Sequence, residues 1–167
     1  MAFQVSRGAI SKGFKPRSDR LVYQPNCAFA CRDQFSSAHL ECTSMDHGGG
    51  GHHGSSTTSK ECYASNTPWL TTLAYCINAT CTDVPNFTLE AYWAERVTKS
   101  ERGNKLQPKW TYQETLFQMA DMQLPTRELE EDEELNFTAL YNAESWESTR
   151  GALEHFELAE TMHSKYG

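Results

Sequence analysis

The chain has 167 residues, 38% of them hydrophobic, and a formal net charge of −7. This length suits a single domain that buries roughly two-thirds of the surface that its unfolded form exposes. The charge is uneven, because residues 1–20 carry five Lys and Arg against one Asp, whereas the remainder carries ten basic against twenty-one acidic residues. Nucleic acid binds to a basic protein surface. The net negative charge of the remainder of the chain therefore argues against nucleic acid as a partner.

Residues 1–20 form a basic leader in which no signal peptide is visible, because no apolar stretch has the length that one needs. Their Arg, Lys and Ser content resembles a mitochondrial presequence. A matrix protein, however, would keep its thiols reduced and have no use for glycosylation sequons. We interpret the leader as disordered or misassigned, with the true start upstream, and residues 21–167 as the folded domain.

Apolar spacing predicts an all-α fold, stapled by disulfides, with five helices joined by long loops. We place the helices near residues 27–40, 67–81, 88–98, 111–122 and 142–163. In the first helix, one face collects three cysteines and two apolar residues, namely Cys27, Cys31, Phe35, Ala38 and Cys42. A Cys-x3-Cys pair on a helix can in principle bind metal, but zinc sites favour other spacings, so we expect disulfides.

The second predicted helix has the clearest signals. Asn66 and Thr67 are candidate N-caps, and Pro68 suits the first helical turn because the N–H that it lacks would be unpaired there. An apolar face at three- and four-residue spacing follows, made of Leu70, Leu73, Ala74 and Ile77, with Trp69 and Cys76 beside it. We expect this face to form the centre of the core.

The later helices are marked by caps at their starts. Thr88 is a plausible N-cap for the third helix, Thr111 and Glu114 form a capping box for the fourth, and Asn142 can cap the fifth.

The buried faces of these later helices are read from their aromatic and apolar residues. Tyr92 and Trp93 stand at helical spacing, which favours a core position over a ligand platform. In the fifth helix, we expect the inward face to consist of Trp146, Leu153, Phe156, Ala159 and Met162. Its wetter side would then carry Glu154, Glu157 and Glu160.

Two polar segments interrupt this pattern. Residues 46–59 contain five glycines and no apolar residue, which predicts a mobile loop. Its histidines, His47, His52 and His53, lie near Asp46 and are the residue type that transition metals prefer, but no spacing fixes a geometry, so we favour a solvated insertion. Residues 128–134 hold six carboxylates in seven positions, which predicts a solvated acidic run rather than a calcium cage. We therefore assign no metal site.

Cysteines and sequons point to the secretory pathway. The six cysteines, an even number, predict three disulfides among Cys27, Cys31, Cys42, Cys62, Cys76 and Cys81. Six cysteines allow 15 pairings, and the sequence leaves the pairing open. The three sequons Asn-x-Thr predict glycosylation at Asn78, Asn86 and Asn136. Together these features indicate an extracellular domain.

Several motifs follow one another in an order that identifies a related family. They are Cys27-x3-Cys31, Glu41-Cys42, the stretch CYASNTPWLTTLAYC from Cys62 to Cys76, and Cys81. Downstream come Leu89-Glu90-x-Tyr92-Trp93, PKWTYQE at 108–114, Leu135-Asn136-Phe137-Thr138 and the closing Glu160-x2-His163-x2-Tyr166-Gly167. From about Leu21 to the last residue, this order resembles the extracellular N-terminal region of fungal ferric reductase transmembrane components.

The resemblance implies a parent protein that reduces Fe(III), and often Cu(II), outside the cell for iron and copper uptake. In that family, electrons pass from NADPH through FAD and two membrane haems. This chain has no apolar run of ~18 residues, no Gly-rich dinucleotide fingerprint and no flavin motif. We therefore assign no catalytic and no cofactor-binding residue, and interpret His163 as a surface or interfacial histidine rather than a haem ligand.

Two hypotheses follow. In the first, the chain is the glycosylated ectodomain of a metalloreductase at the extracellular face of the plasma membrane, truncated before a membrane domain expected after Gly167. That ectodomain is inactive alone, and ferric or cupric chelates are its candidate ligands. In the second, the chain is a secreted glycosylated protein that binds metal or another ligand and has no reductase activity. Coding sequence downstream of Gly167 distinguishes the two.

Overall fold

The computed structural model describes residues 24–45, 56–99 and 106–166. In these ranges the chain forms α1 (Asn26–Gln34), β1 (Ser44–Met45), β2 (Ser56–Thr57), α2 (Lys60–Ser65), α3 (Thr67–Thr80), α4 (Asn86–Arg96), α5 (Tyr112–Met119) and α6 (Ala143–Tyr166). The two short strands pair antiparallel, with Ser44 opposite Thr57. The predicted all-α, disulfide-stapled fold is confirmed. The predicted leader, residues 1–20, lies outside the described residues.

Helix α3 is the centre of the core. The Asn66 side chain accepts a 2.8 Å hydrogen bond from the Trp69 N–H, so the predicted N-cap is confirmed, and Pro68 lies in the first turn. The predicted apolar face is buried throughout, at Trp69, Leu70, Leu73, Ala74, Cys76 and Ile77. Trp69 also donates its indole N–H to the Val97 carbonyl oxygen at 3.0 Å, which satisfies the one polar atom of a fully buried ring.

Three disulfides fix the neighbours of α3. Two of them, Cys27–Cys81 and Cys31–Cys76, join α1 to α3 and to the residue that follows it. The third, Cys42–Cys62, ties the segment before β1 to α2. All six cysteines are therefore paired, as the sequence predicts, in a pairing that the sequence had left open.

Helix α1 is shorter than predicted. It ends at Gln34 rather than near residue 40, so the expectation that Ala38 and Cys42 continue its helical face is wrong. A tertiary contact provides the reason: the Leu135 N–H donates a 2.8 Å hydrogen bond to the His39 carbonyl oxygen, and the two segments form a parallel bridge. This contact requires extended backbone where the apolar spacing had predicted helix.

The start of α4 and the presence of α2 also differ from the prediction. Helix α4 begins at Asn86, after Pro85, so Thr88 lies inside the helix and is not its N-cap. Pro85 fixes its own φ, and its carbonyl oxygen already accepts from the Thr88 and Leu89 N–H groups, which starts the helix earlier. Helix α2 was not predicted, although Ser59 caps it through a bond from the Cys62 N–H.

The predicted mobile loop, residues 46–59, is described only from residue 56 onward. There it consists of β2 and the cap of α2 rather than loop alone. Residues 46–55, with the three histidines, lie outside the described residues.

The later caps and core aromatics agree with the sequence. The capping box of Thr111 and Glu114 is present at the start of α5, and Asn142 accepts a 2.8 Å bond from the Ser145 N–H at the start of α6. Tyr92 and Trp93 are buried at 4% and 1% exposure, which confirms them as core residues. Burial raises the pKa of the Tyr92 hydroxyl, which donates to the Ala28 carbonyl oxygen at 3.1 Å.

Helix α6 packs with a different face than predicted. Trp146 and Leu153 lie partly buried against the body, but Phe156 is 63% exposed and Met162 is 53% exposed. Glu157, predicted for the wetter side, faces α1 instead and is hydrogen-bonded there. The predicted inward apolar face is therefore wrong at Phe156 and Met162, whereas Ala159 is partly buried as predicted.

The acidic run, residues 128–134, lies at the surface but is not a free chain of carboxylates. Glu133 binds the Arg127 guanidinium through two bonds of 2.7 and 2.8 Å, and Arg127 lies 3.8 Å from the centre of the Phe137 ring. Glu128 accepts from the Asn142 amide, while Leu129 packs against the core. The Arg127 guanidinium and the packing of Leu129 thus offset the repulsion among the carboxylates of the run.

Candidate functional site

A cleft of about 710 Å³, here called the α6 cleft, opens between α6 and the start of α1. Its first wall consists of residues 24–27, around the start of α1. Its second wall, at and after the end of α3, consists of Thr80, Cys81, Asp83 and Val84. Helix α6 supplies the third wall through Trp146, Arg150, Glu154, Glu157, Leu158 and Thr161. This volume lies within the range of about 300–1,000 Å³ typical of small-molecule sites.

The α6 wall follows from helical periodicity. Trp146, Arg150, Glu154, Glu157 and Thr161 recur at three- and four-residue spacing, which places them along one side of the helix. Trp146 positions this side, because its indole N–H donates a 3.1 Å bond to the Cys27 carbonyl oxygen. Since Cys27 is bonded to Cys81, this contact also joins α6 to the disulfide that forms part of the cleft.

Two amides near the start of α1 hold the carboxylate of Glu157 in the cleft. Its Oε2 atom accepts hydrogen bonds from the Gln24 amide at 2.6 Å and from the Asn26 amide at 3.2 Å. Its Oε1 atom is buried and has no hydrogen-bond partner. Only neutral amides therefore hold this carboxylate, and half of its accepting capacity is unused.

Arg150 is the cation of the cleft, and carboxylates already engage it. Its guanidinium binds Glu154 at 2.6 Å and Glu147 at 3.2 Å, and it lies 5.4 Å from the centre of the Trp146 ring. The charged residues of the lining are Asp83, Glu154 and Glu157 against Arg150, so the lining is net acidic. The cleft is therefore suited to recognising hydrogen-bond donors and positive charge.

The disulfide, glycosylation and histidine positions that the sequence singled out lie elsewhere, apart from two cysteines. Cys27 and Cys81 line the α6 cleft as a disulfide, whereas the other two disulfides lie outside it. The three sequon asparagines are all exposed and lie apart on the surface, at Asn78 near the end of α3, Asn86 at the start of α4, and Asn136. His163 is exposed on α6, and His47, His52 and His53 lie outside the described residues.

Sequence reasoning missed the cleft because its parts are far apart in the chain. Glu157 meets Gln24 across 133 positions, and no local pattern signals that contact. The cue is the pairing of Glu157 with two amides near the start of α1, and it exists only once the helices are packed. Within the described ranges, no group of three or more His, Cys, Asp or Glu side chains is arranged to hold a metal ion.

Comparison of the chain with protein-family models, with curated proteins and with solved structures finds no match. Among residues 24–45, 56–99 and 106–166, none of the helices combines the length and apolar character that crossing a membrane requires. The three disulfides indicate an oxidising environment such as the extracellular space.

Proposed function

We propose that the chain is the extracellular domain of a ferric or cupric metalloreductase that serves iron and copper uptake. One observation carries the proposal. The residues that resemble this family most specifically, from Cys62 to Cys76, contribute a cysteine to each of two disulfides and form the buried face of α3. The resemblance thus falls on the residues that determine the fold, where a related domain must be similar.

The exposure of the sequons supports an extracellular position. Asn78, Asn86 and Asn136 all face solvent, so a glycan at each can be accommodated without disturbing the core. Glycans and disulfides are both added in the secretory pathway. The domain faces the outside of the plasma membrane in this proposal, and it supports or screens the outer face of the reductase.

The redox chemistry belongs to another part of the parent protein. NADPH, FAD and haem bind to the remainder of the reductase, and its membrane domain is expected after Gly167. The residues of this chain supply a rigid, glycosylated scaffold, and the isolated chain reduces neither Fe(III) nor Cu(II). Ferric or cupric chelates meet the domain from the solvent side.

The reading frame after Gly167 tests the proposal most directly. We expect it to encode several apolar helices with paired histidines, and an antibody against this chain to detect a large, haem-containing protein in the membrane fraction. Treatment with an N-glycosidase should reduce its mass. A stop codon after Gly167 together with detection of only the free, secreted chain would contradict the proposal.

One observation favours the alternative, a secreted glycosylated protein that binds metal without reductase activity. Strands β1 and β2 pair, and Cys42–Cys62 joins the segments on either side, so Met45 and Ser56, which flank residues 46–55, are held side by side. In this alternative, the closely spaced flanks favour the binding of one metal ion by His47, His52 and His53.

Equilibrium dialysis with Cu(II) tests this alternative. Replacement of His47, His52 and His53 by Ala should abolish binding, whereas replacement of the exposed His155 and His163 should leave it unchanged. Equal uptake by both variants would contradict the alternative.

A further inference from the structure

Glu157 presents an unsatisfied negative charge inside the α6 cleft. It is half-buried, and none of the ion pairs among the described residues includes it. Its buried Oε1 atom accepts no hydrogen bond. Burying an acceptor without a donor is unfavourable, and more so for a charged group, so this atom is suited to an external N–H donor.

Asn26 provides a second, independent acceptor in the same cleft. Its side chain is only 9% exposed and it lines the cleft. The amide nitrogen donates to Glu157, but the Oδ1 atom is buried and has no partner. Two acceptor atoms and one donor, the Arg150 Nε–H, thus lack partners in the cleft, and the Asn26–Glu157 bond fixes the two acceptor side chains to each other.

The rest of the lining adds both negative charge and apolar surface. Asp83 is exposed beside the cleft, and Glu154 is engaged with Arg150. Val84 and Leu158 supply apolar surface. A ligand that complements this lining is a hydrogen-bond donor with positive charge and a short apolar arm. A metal ion is disfavoured, because the described residues hold no group of three or more His, Cys, Asp or Glu side chains arranged to bind one.

We propose that the α6 cleft binds an organic cation, an ammonium or guanidinium group, through Glu157 Oε1 and Asn26 Oδ1. The N–H groups of the cation donate to both oxygens, and its alkyl arm packs against Val84 and Leu158. A guanidinium suits this arrangement best, because its planar N–H groups can donate to two acceptors at once. The proposal is independent of the function proposed above.

Titration calorimetry with n-butylguanidinium tests the site on the full, oxidised chain. We expect saturable binding at one site, and at least tenfold weaker binding of n-butylurea, which has a similar shape without the charge. Glu157→Gln should weaken guanidinium binding about tenfold or more, because it removes a charge-assisted hydrogen bond and leaves the shape unchanged.

The matched control is Glu160→Gln, which removes one carboxylate from an exposed position of the same helix outside the cleft. It should bind like the wild type. Asp83→Asn, at an exposed position with no role in the core, should weaken binding several-fold and serves if Glu157→Gln disturbs folding. Equal affinities of the Glu157 and Glu160 variants, or no saturable binding of the guanidinium at millimolar concentration, would overturn the proposal.

The cation can come from a separate ligand or from the chain itself, since Arg17 and Arg20 shortly precede Gln24. The double variant Arg17→Gln/Arg20→Gln distinguishes the two sources. Tighter binding of n-butylguanidinium by this variant indicates that the chain's own guanidinium groups compete for the site. Unchanged binding indicates a separate ligand. Either result supports the proposal only if Glu157→Gln also weakens the binding of n-butylguanidinium.

Discussion

The α1–α3 pair and helix α6 are held to the body by different interactions. Helices α1 and α3 share two disulfides and a core of fully buried apolar side chains. Helix α6 carries no cysteine; it packs along α1 and is joined to the body by hydrogen bonds, from Trp146 to the Cys27 carbonyl, between Asn142 and Gln34, and from Gln24 and Asn26 to Glu157.

This difference explains which predictions hold. The burial of α3 depends on its own apolar pattern, so the face that is buried is the face that this pattern predicts. The orientation of α6 depends on distant polar partners, so Phe156 and Met162 remain exposed. We therefore expect α6 to loosen without unfolding of the α1–α3 pair, whereas damage to that pair should unfold the whole domain.

Removing Cys31–Cys76 should destabilise the domain more than removing Cys42–Cys62. The disulfide closes a loop of 45 residues between two buried cysteines. Chain-entropy arguments give about 4 kcal/mol for such a loop and about 3 kcal/mol for the 20-residue separation of Cys42–Cys62. Urea denaturation of Cys31→Ala/Cys76→Ala and of Cys42→Ala/Cys62→Ala should therefore rank in that order. The opposite ranking would contradict the assignment of α1–α3 as the stabilising centre.

Truncating Trp146 should loosen α6. The side chain is partly buried, and it loses both its packing and its bond to the Cys27 carbonyl oxygen, so we expect Trp146→Ala to destabilise the domain by about 2 kcal/mol. Phe117→Ala is the control, because that ring is 79% exposed and should change stability by less than about 0.5 kcal/mol. Hydrogen exchange should accelerate mainly in α6, and uniform acceleration through α3 would show that the two regions are one cooperative unit.

The same contrast shows how much the sequence could predict. Local signals were sufficient for the caps at Asn66, Thr111 and Asn142, for the burial of Trp69 and Trp93, and for the disulfide bonding of all six cysteines. Each depends on neighbours a few positions away or on composition alone.

Long-range pairing accounts for the rest. The end of α1 depends on the bond between His39 and Leu135, and the cleft depends on the meeting of Gln24 and Glu157. A six-residue helix such as α2 has too few positions to show an apolar period. Disulfide pairing likewise requires knowledge of which helices are neighbours.

Removing one N-cap in each region should sharpen the comparison. Asn66→Ala and Asn142→Ala each remove one cap bond of 2.8 Å, so each should destabilise its helix by about 1 kcal/mol. For Asn66 the loss should lower the midpoint of global unfolding, because α3 is the core. For Asn142 it should appear chiefly as faster hydrogen exchange at the start of α6, and equal changes in global midpoint would contradict the difference between the regions.

The smallest effect is expected at the acidic run. The bonds from Arg127, and then that from the Glu130 N–H, lower the pKa of Glu133 from an ordinary value of 4.5 to about 2. Because the folded state holds this carboxylate ionised more strongly than the unfolded state does, the stabilisation is present above pH 4.5 and is lost as the pH falls to about 2. Glu133→Gln should therefore lower the Tm at pH 6 and lose less stability than the wild type on acidification to pH 2.5. Glu131→Gln, an exposed change in the same run, should keep the wild-type pH profile, and identical acid sensitivity of the Glu133 variant and the wild type would show that the pair with Arg127 contributes nothing to folding.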